Sequence, residues 1–188
     1  KHHPLKLNLN TNFCGLALTS PTMLLSGCVG FGEEYTRIEG FSNKDVGGIV
    51  LKGTTLEPRL GNANHRVYET PMGMLNAIGL QNPGCDQVIN QILPSLDISE
   101  TQFIANVCGS TIEDYAKVTE KFDDSMVAAI EINISCPNIK EGGVSFGNYP
   151  EMSAKVIAAC RKKTKKPIIA KLSPNQTDIK ENAKQCIE

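Results

Sequence analysis

The sequence predicts an α/β fold built by repeating a strand-then-helix unit, either a doubly wound sheet or a (β/α)8 barrel. Three observations lead there. Five short runs, Met23 to Leu25, Gly48 to Leu51, Phe103 to Val107, Ala129 to Ile134 and Ile168 to Leu172, are mostly apolar throughout rather than alternating, as in parallel strands covered on both faces. Between them lie segments whose apolar residues recur at helical spacing. The two kinds of segment alternate along the chain, which is the pattern of βα units. Residues 1–188 read as a single domain with five such units, whereas a barrel has eight and typically about 250 residues.

Each element has a local reason. Leu5, Leu7 and Leu9 alternate like a hairpin strand. The first parallel strand runs into Ser26 and a glycine-rich turn, Gly27-Cys-Val-Gly-Phe-Gly32, which lacks the spacing and the downstream acid of a dinucleotide fingerprint, so NAD binding by this chain has no support. The second strand ends on Lys52-Gly53. The connection from Thr54 to Asn82 that follows is rich in Gly, Pro and Asn and far longer than usual, as expected of a functional loop over a site. Cys85 to Leu93 carries Val88, Ile89 and Ile92 at helical spacing.

After the third strand, Ser110-Thr-Ile-Glu113 predicts a capping box before a helix bearing Tyr115, Val118 and Phe122. In the fourth strand Ile130, Ile132 and Ile134 alternate, and Pro137, with no N–H to donate, is expected to stop the ladder. Asn148 is expected to cap the helix in which Met152, Val156, Ile157 and Cys160 share a face. The basic run from Arg161 to Lys166 reads as the solvated end of that helix, where cations complement the C-terminal carbonyls and Pro167 prevents continuation. Thr177 is expected to cap the last helix.

Composition narrows the function. A formal net charge of -1, with basic residues scattered apart from that run, gives no field for nucleic acid. No apolar run approaches the roughly 20 residues that span a bilayer, and the first residues do not form a signal peptide, so no membrane association and a cytoplasmic location are expected. His2 and His3 are set aside as a tag remnant. Seven cysteines contain no C-x-x-C pair, which argues against a metal or iron-sulfur site and for free thiols in a reducing compartment.

Chemistry concentrates at the strand ends. In parallel α/β folds ligands bind at the carboxyl ends of strands, and Ser26, Lys52, Gly53, Asn106, Asn133 to Asn138 and Lys171 all fall there. Lysines in apolar strands are costly unless an anion pairs with them, and asparagine amides offer donors and acceptors to a planar heterocycle, so a flat, anionic, hydrogen-bonding ligand is implied. Cys136, just past a strand and flanked by Asn133 and Asn138, is the candidate reactive thiol. The stretch from Thr70 to Gly84 mixes glycines with apolar residues that loops normally avoid. It is expected to touch the ligand through Asn76 and backbone, with Gly79 permitting close approach. The glycine-rich Glu141 to Gly147 is expected to act as a lid over Cys136.

Long motifs then carry a resemblance. Asn133-Ile-Ser-Cys-Pro-Asn-Ile-Lys-Glu-Gly-Gly-Val-Ser-Phe-Gly147, Asn76-Ala-Ile-Gly-Leu-Gln-Asn-Pro-Gly84, Lys52-Gly-Thr-Thr55, Glu57-Pro-Arg-Leu-Gly-Asn62 and Lys171-Leu-Ser-Pro-Asn175 resemble dihydroorotate dehydrogenase over essentially the whole chain, and most closely its NAD-linked, two-subunit class. The quinone-linked class has serine where this chain has Cys136.

The resemblance implies an FMN-containing (β/α)8 barrel, of which the first five βα units are present, that oxidises dihydroorotate to orotate in pyrimidine synthesis. It implies that Cys136 is the base removing the C5 proton while hydride leaves C6 for flavin N5. Lys52, Asn76, Ala77, Ile78, Gly79, Leu80, Asn133 and Asn138 would bind substrate. Ser26, Lys52, Gly53, Asn106, Asn133 and Lys171 would bind FMN, with no metal. The flavin phosphate site belongs to later strands. Partners implied are a second copy, as a homodimer, and a separate subunit carrying FAD and an iron-sulfur cluster. The alternatives are the fumarate-using class, a dihydropyrimidine dehydrogenase domain, or a non-catalytic binding module.

Overall fold

The protein is described from a computed structural model, which covers residues 7–135 and 149–187 in full and residues 140–141 and 144–145 by their backbone. A hairpin of β1 (Thr11–Phe13) and β2 (Leu16–Leu18) comes first. It lies downstream of the predicted one, and Leu7 and Leu9 are exposed. The displacement follows from the turn: Cys14 and Gly15 both take positive φ, the conformation that a two-residue hairpin loop needs.

Five strands then form one parallel sheet. They are β3 (Met23–Leu24), β4 (Gly48–Val50), β7 (Gln102–Val107), β8 (Ala129–Asn133) and β11 (Ile168–Lys171), ordered β11-β8-β7-β4-β3. All five predicted strands are present, each within a residue or two of its expected ends. Between β4 and β7 stands an antiparallel hairpin, β5 (Val67–Thr70) and β6 (Gly73–Asn76). After β8, β9 (Lys140–Glu141) pairs with β10 (Val144–Ser145). The expected lid and the expected cap Asn148 otherwise lie outside the described residues.

The helices correct three local expectations. The segment after Gly84 starts as α1 (Cys85–Gln87), widens into a π turn at Val88–Ile92 and tightens into a 3-10 turn at Leu93–Ser95. The capping box of α2 (Ile112–Asp123) sits one residue later than predicted. Thr111 accepts from the Asp114 N–H at 3.0 Å and the Asp114 carboxylate accepts from the Thr111 N–H. Aspartate satisfies the reciprocal bond as well as glutamate does, so Ser110 is left outside the box. The third concerns α4 (Ile179–Ile187), which is capped by Asp178 rather than Thr177. The Asp178 carboxylate accepts from the N–H groups of Lys180 and Glu181. Helix α3 (Pro150–Arg161) opens on proline, whose missing N–H costs nothing in the first turn. Among the described residues no helix is long and apolar enough to cross a membrane.

Alternation along the strands sorts side chains onto two faces. Ile49, Leu51, Phe103, Ala105, Val107, Ile130, Ile132 and Ile134 pack with Tyr115, Val118, Phe122, Val156 and Cys160 of α2 and α3 in one cluster. Each fully buried side chain of this kind contributes about 1.5–3 kcal/mol. The opposite face carries Val50, Ile104 and Ala129, with Leu16, Met23 and Ile169 against them. Farther along the same strands this face turns polar.

The basic run is exposed at Arg161, Lys162, Lys163 and Lys165, as expected of a solvated helix end, and departs from that role at Lys166. Arg161 ends α3, and its guanidinium donates to the Lys166 carbonyl at 2.9 Å. Lys166 is half-buried and donates to the carbonyls of Phe122, Ser125 and Val127 at 3.3, 2.6 and 2.9 Å. It therefore caps α2 rather than facing solvent, and burial lowers its pKa.

Candidate active site

The polar floor lies at the carboxyl ends of β4, β7, β8 and β11. In register, Asn106 of β7 stands opposite Glu131 of β8, and Asn133 stands opposite Lys171 of β11. Asn106 is fully buried. Its amide nitrogen donates to Glu131 Oε1 at 2.5 Å, and its Oδ1 accepts from Asn133 Nδ2 at 3.3 Å and from the Cys108 thiol at 3.5 Å. Asn133 Oδ1 in turn accepts from the Ser135 hydroxyl at 2.7 Å. Lys171 Nζ lies 4.0 Å from Glu131 Oε1, with 36% of the lysine side chain exposed against 9% of the glutamate's. Hydrogen bonds thus join β7 and β8 in one polar layer, and Lys171 brings β11 beside it through the longer ion pair.

Beyond its last paired residue, β4 stays tied to this layer. The Thr54 N–H donates to the Asn106 carbonyl and the Cys108 N–H to the Thr54 carbonyl, both at 2.9 Å. Lys52, half-buried, falls by alternation on the Val50 face, and its N–H donates to the Gly30 carbonyl at 2.7 Å, which joins the turn containing half-buried Ser26 to the site. Gly53 is required by closeness: a Cβ there would meet Asn106 Oδ1 and Cys108 Sγ at 3.0 Å and Leu80 Cδ1 at 3.1 Å. Leu80 therefore reaches the floor. It and Gly79 both hold positive φ, +56° and +77°, and for leucine that conformation costs about 1–3 kcal/mol.

Buried Asn82 fixes this bend. Its Oδ1 accepts from the N–H groups of Thr55 and Gly84, and its Nδ2 donates to the Leu80 carbonyl. Asn62 holds the preceding stretch, donating to the carbonyls of Ala77 and Ile78. Asn76 and Ala77 are exposed, and among the described residues Asn76 is hydrogen-bonded to none of the floor residues. The structure thus gathers Lys52, Gly53, Leu80, Asn106, Asn133 and Lys171, leaves Asn76 at the base of the outer hairpin, and does not describe Cys136 or Asn138.

Strand β8 ends at Asn133, whose carbonyl accepts from the buried Tyr115 hydroxyl at 2.8 Å. Pro137, expected to stop the ladder, lies outside the described residues. Glu131 is the residue that sequence reasoning missed. Its signal was a lone carboxylate between two isoleucines, in a strand neighbouring one that ends on lysine. Its presence corrects the inference that the strand lysines demand an external anion, since Lys171 has Glu131 nearby. Lys52 has no ion-pair partner among the described residues.

Burial raises the pKa of Glu131, with Lys171 and the Asn106 amide opposing. The folded state then binds the proton more tightly than the unfolded one. Stability linked to this group is full below the ordinary carboxylate value and is lost as pH rises through the raised folded value. Denaturant unfolding across that window is expected to show a decline that Glu131→Gln abolishes; parallel profiles would contradict it. Burial also raises the pKa of the Cys85 thiol and pushes that of Cys160 up to about 11, which keeps both inert.

Comparisons with known proteins place the chain in a family. The family described as dihydroorotate dehydrogenase matches residues 8–187. The catalytic subunit of dihydroorotate dehydrogenase B (NAD(+)) from Geobacillus kaustophilus is 49% identical over 171 residues, 90% of this chain and 54% of that protein. The corresponding subunits from Pelobacter propionicus and Oceanobacillus iheyensis are 45% and 48% identical, covering 98% and 95% of this chain and 60% and 58% of theirs. The chain thus spans between 54% and 60% of the length of these relatives. A match across nearly every residue at such identity leaves one assignment: the chain belongs to the dihydroorotate dehydrogenase family.

Proposed function

We propose that this chain is part of the FMN-binding catalytic subunit of an NAD-linked dihydroorotate dehydrogenase, and that its parallel sheet is part of an eight-stranded barrel forming a single domain. The observation that carries the reading is the polar layer at four adjacent strand ends, with Lys52 and Lys171 on the same face as the buried Asn106 and Asn133 amides. Those residues fit a flat heterocycle. Gly53 lets the backbone approach the floor without a Cβ, and each amide nitrogen keeps an N–H uncommitted among the described residues.

Ser26, Lys52, Gly53, Asn106, Asn133 and Lys171 would hold the flavin. When bound, FMN supplies the two-electron acceptor for the hydride from C6 of dihydroorotate. Cys136 would take the C5 proton, and Lys52 would meet the substrate carboxylate. Asn76, Asn133, Asn138 and the backbone from Ala77 to Leu80 would keep the pyrimidine in register, where small misplacement is expensive. Lys171 would favour negative charge at the cofactor. Electrons would leave through a partner subunit with FAD and an iron-sulfur cluster, in the cytoplasm, with the catalytic subunit as a homodimer.

Flavin content and anaerobic titration of the intact protein test this. Expected are one FMN per chain, bleached by dihydroorotate and reoxidised through the partner subunit. A colourless folded protein that takes up no flavin would overturn the reading, and direct reduction of fumarate would move it to another class. Lys52→Ala is expected to weaken orotate binding about 10- to 100-fold, the worth of a hydrogen bond to a charged group. An unchanged orotate titration of the flavin band would count against that role.

A further inference from the structure

We propose that Glu131 is a positioning residue, whose carboxylate beneath the floor orients Lys171 and Asn106 and limits how strongly the lysine attracts negative charge from a bound cofactor. This rests on the FMN reading and deepens it. Two groups converge on a single oxygen. Asn106 Nδ2 donates to Glu131 Oε1 at 2.5 Å from β7, and Lys171 Nζ stands 4.0 Å from the same atom on β11. The two contacts differ in kind. The first is a short hydrogen bond between buried side chains that fixes the Asn106 amide. The second exceeds hydrogen-bond length, so the ammonium is drawn toward the carboxylate yet stays free to turn to a ligand.

The strand itself gives no reason for an acid here. Glu131 lies in Ala129-Ile-Glu-Ile-Asn133, a strand buried along its whole length, where a carboxylate is costly unless its charge is used. The groups around it are Lys171 from β11, Asn106 and Cys108 from β7, Asn133 on its own strand, and Lys52 from β4 by alternation on the same face. One carboxylate against two lysines leaves the floor with a single net positive charge, and the nearer lysine is the one opposed. Burial raises the pKa of Glu131 while Lys171 and the Asn106 amide oppose it, so the carboxylate carries its charge above that raised value.

Glu131→Gln keeps the volume and the acceptor for Asn106 while removing the charge. In the intact flavin-loaded protein at mildly alkaline pH, the variant is expected to favour reduced over oxidised flavin about tenfold more than wild type, an upward shift of about 30 mV for two electrons. The difference should close as pH falls and the wild-type carboxyl takes its proton, and Glu131→Asp should lie between wild type and the glutamine variant. A glutamine variant whose potential tracks wild type at every pH would overturn the inference.

Should that variant fail to fold, carbon-13 NMR titration of the Glu131 carboxyl decides the pairing. Lys171→Met is expected to raise its midpoint, and an unmoved midpoint would overturn the inference. Absence of flavin from intact wild type would instead sink the FMN reading and with it the cofactor role. The Lys171→Met titration would still report whether the pair exists, which keeps the two failures apart.

Discussion

Cys136→Ala is expected to retain flavin but to slow dihydroorotate oxidation at neutral pH by about 10²–10⁴-fold, the usual contribution of a positioned general base. The reasoning is chemical. Hydride departure from C6 creates a double bond only if the C5 proton also leaves, and in the motif from Asn133 to Asn138 the thiol is the one side chain able to accept it. The amides of Asn133 and Asn138 hold no basic lone pair at neutral pH, and the Ser135 hydroxyl already donates to Asn133 Oδ1. Stopped-flow reduction of the bound flavin by dihydroorotate separates this step from electron exit. Near-normal reduction in the alanine variant would reject the base assignment, while loss of flavin would mean that the residue holds the cofactor instead.

Tyr115→Ala is expected to cost about 3–5 kcal/mol of stability, the range for removing a large buried ring. Tyr115 is fully buried in the helix-side cluster, and its hydroxyl supplies the hydrogen bond to the Asn133 carbonyl that ends β8. The variant loses packing and also leaves that carbonyl without this donor. Tyr115→Phe isolates the second effect, at about 1–3 kcal/mol. Urea unfolding of the intact protein measures both. A loss below about 1 kcal/mol for the alanine variant would show that the cluster closes over the gap. Because the hydroxyl grips the strand end next to the polar floor, the phenylalanine variant should also loosen the Asn133 amide and weaken binding there.

The architecture was legible because its signals are local. Runs such as Phe103 to Val107 are apolar throughout and bounded by turn residues, and covered parallel strands have no other simple pattern. Cap positions were read one residue off at α2 and α4 because serine, threonine and aspartate compete for that place. Thr111 and Asp178 won through which side chain faced the first N–H groups. The hairpin after Thr54 was not foreseen as strands, since Val67, Tyr68, Met74 and Leu75 are exposed and no burial period marks them. In the floor, Asn106, Asn133 and Lys171 were readable as strand-end residues, but their mutual engagement was not. Sequence spacing reveals which side chains sit at strand ends, whereas the meeting of Asn106, Glu131 and Lys171 depends on register between three strands far apart in the chain.

The long excursion between β4 and β7 is clamped near its root. The Arg59 and Asn82 backbones donate to each other, the Asn82 side chain locks Thr55 and Gly84, and the Arg66 guanidinium donates to Gln81 at 2.5 Å. Its tip at Met72, 97% exposed, lies outside every one of those ties. The tip is therefore a natural port for grafting a peptide or a fluorophore, and such a graft is expected to leave the clamp and the floor in place.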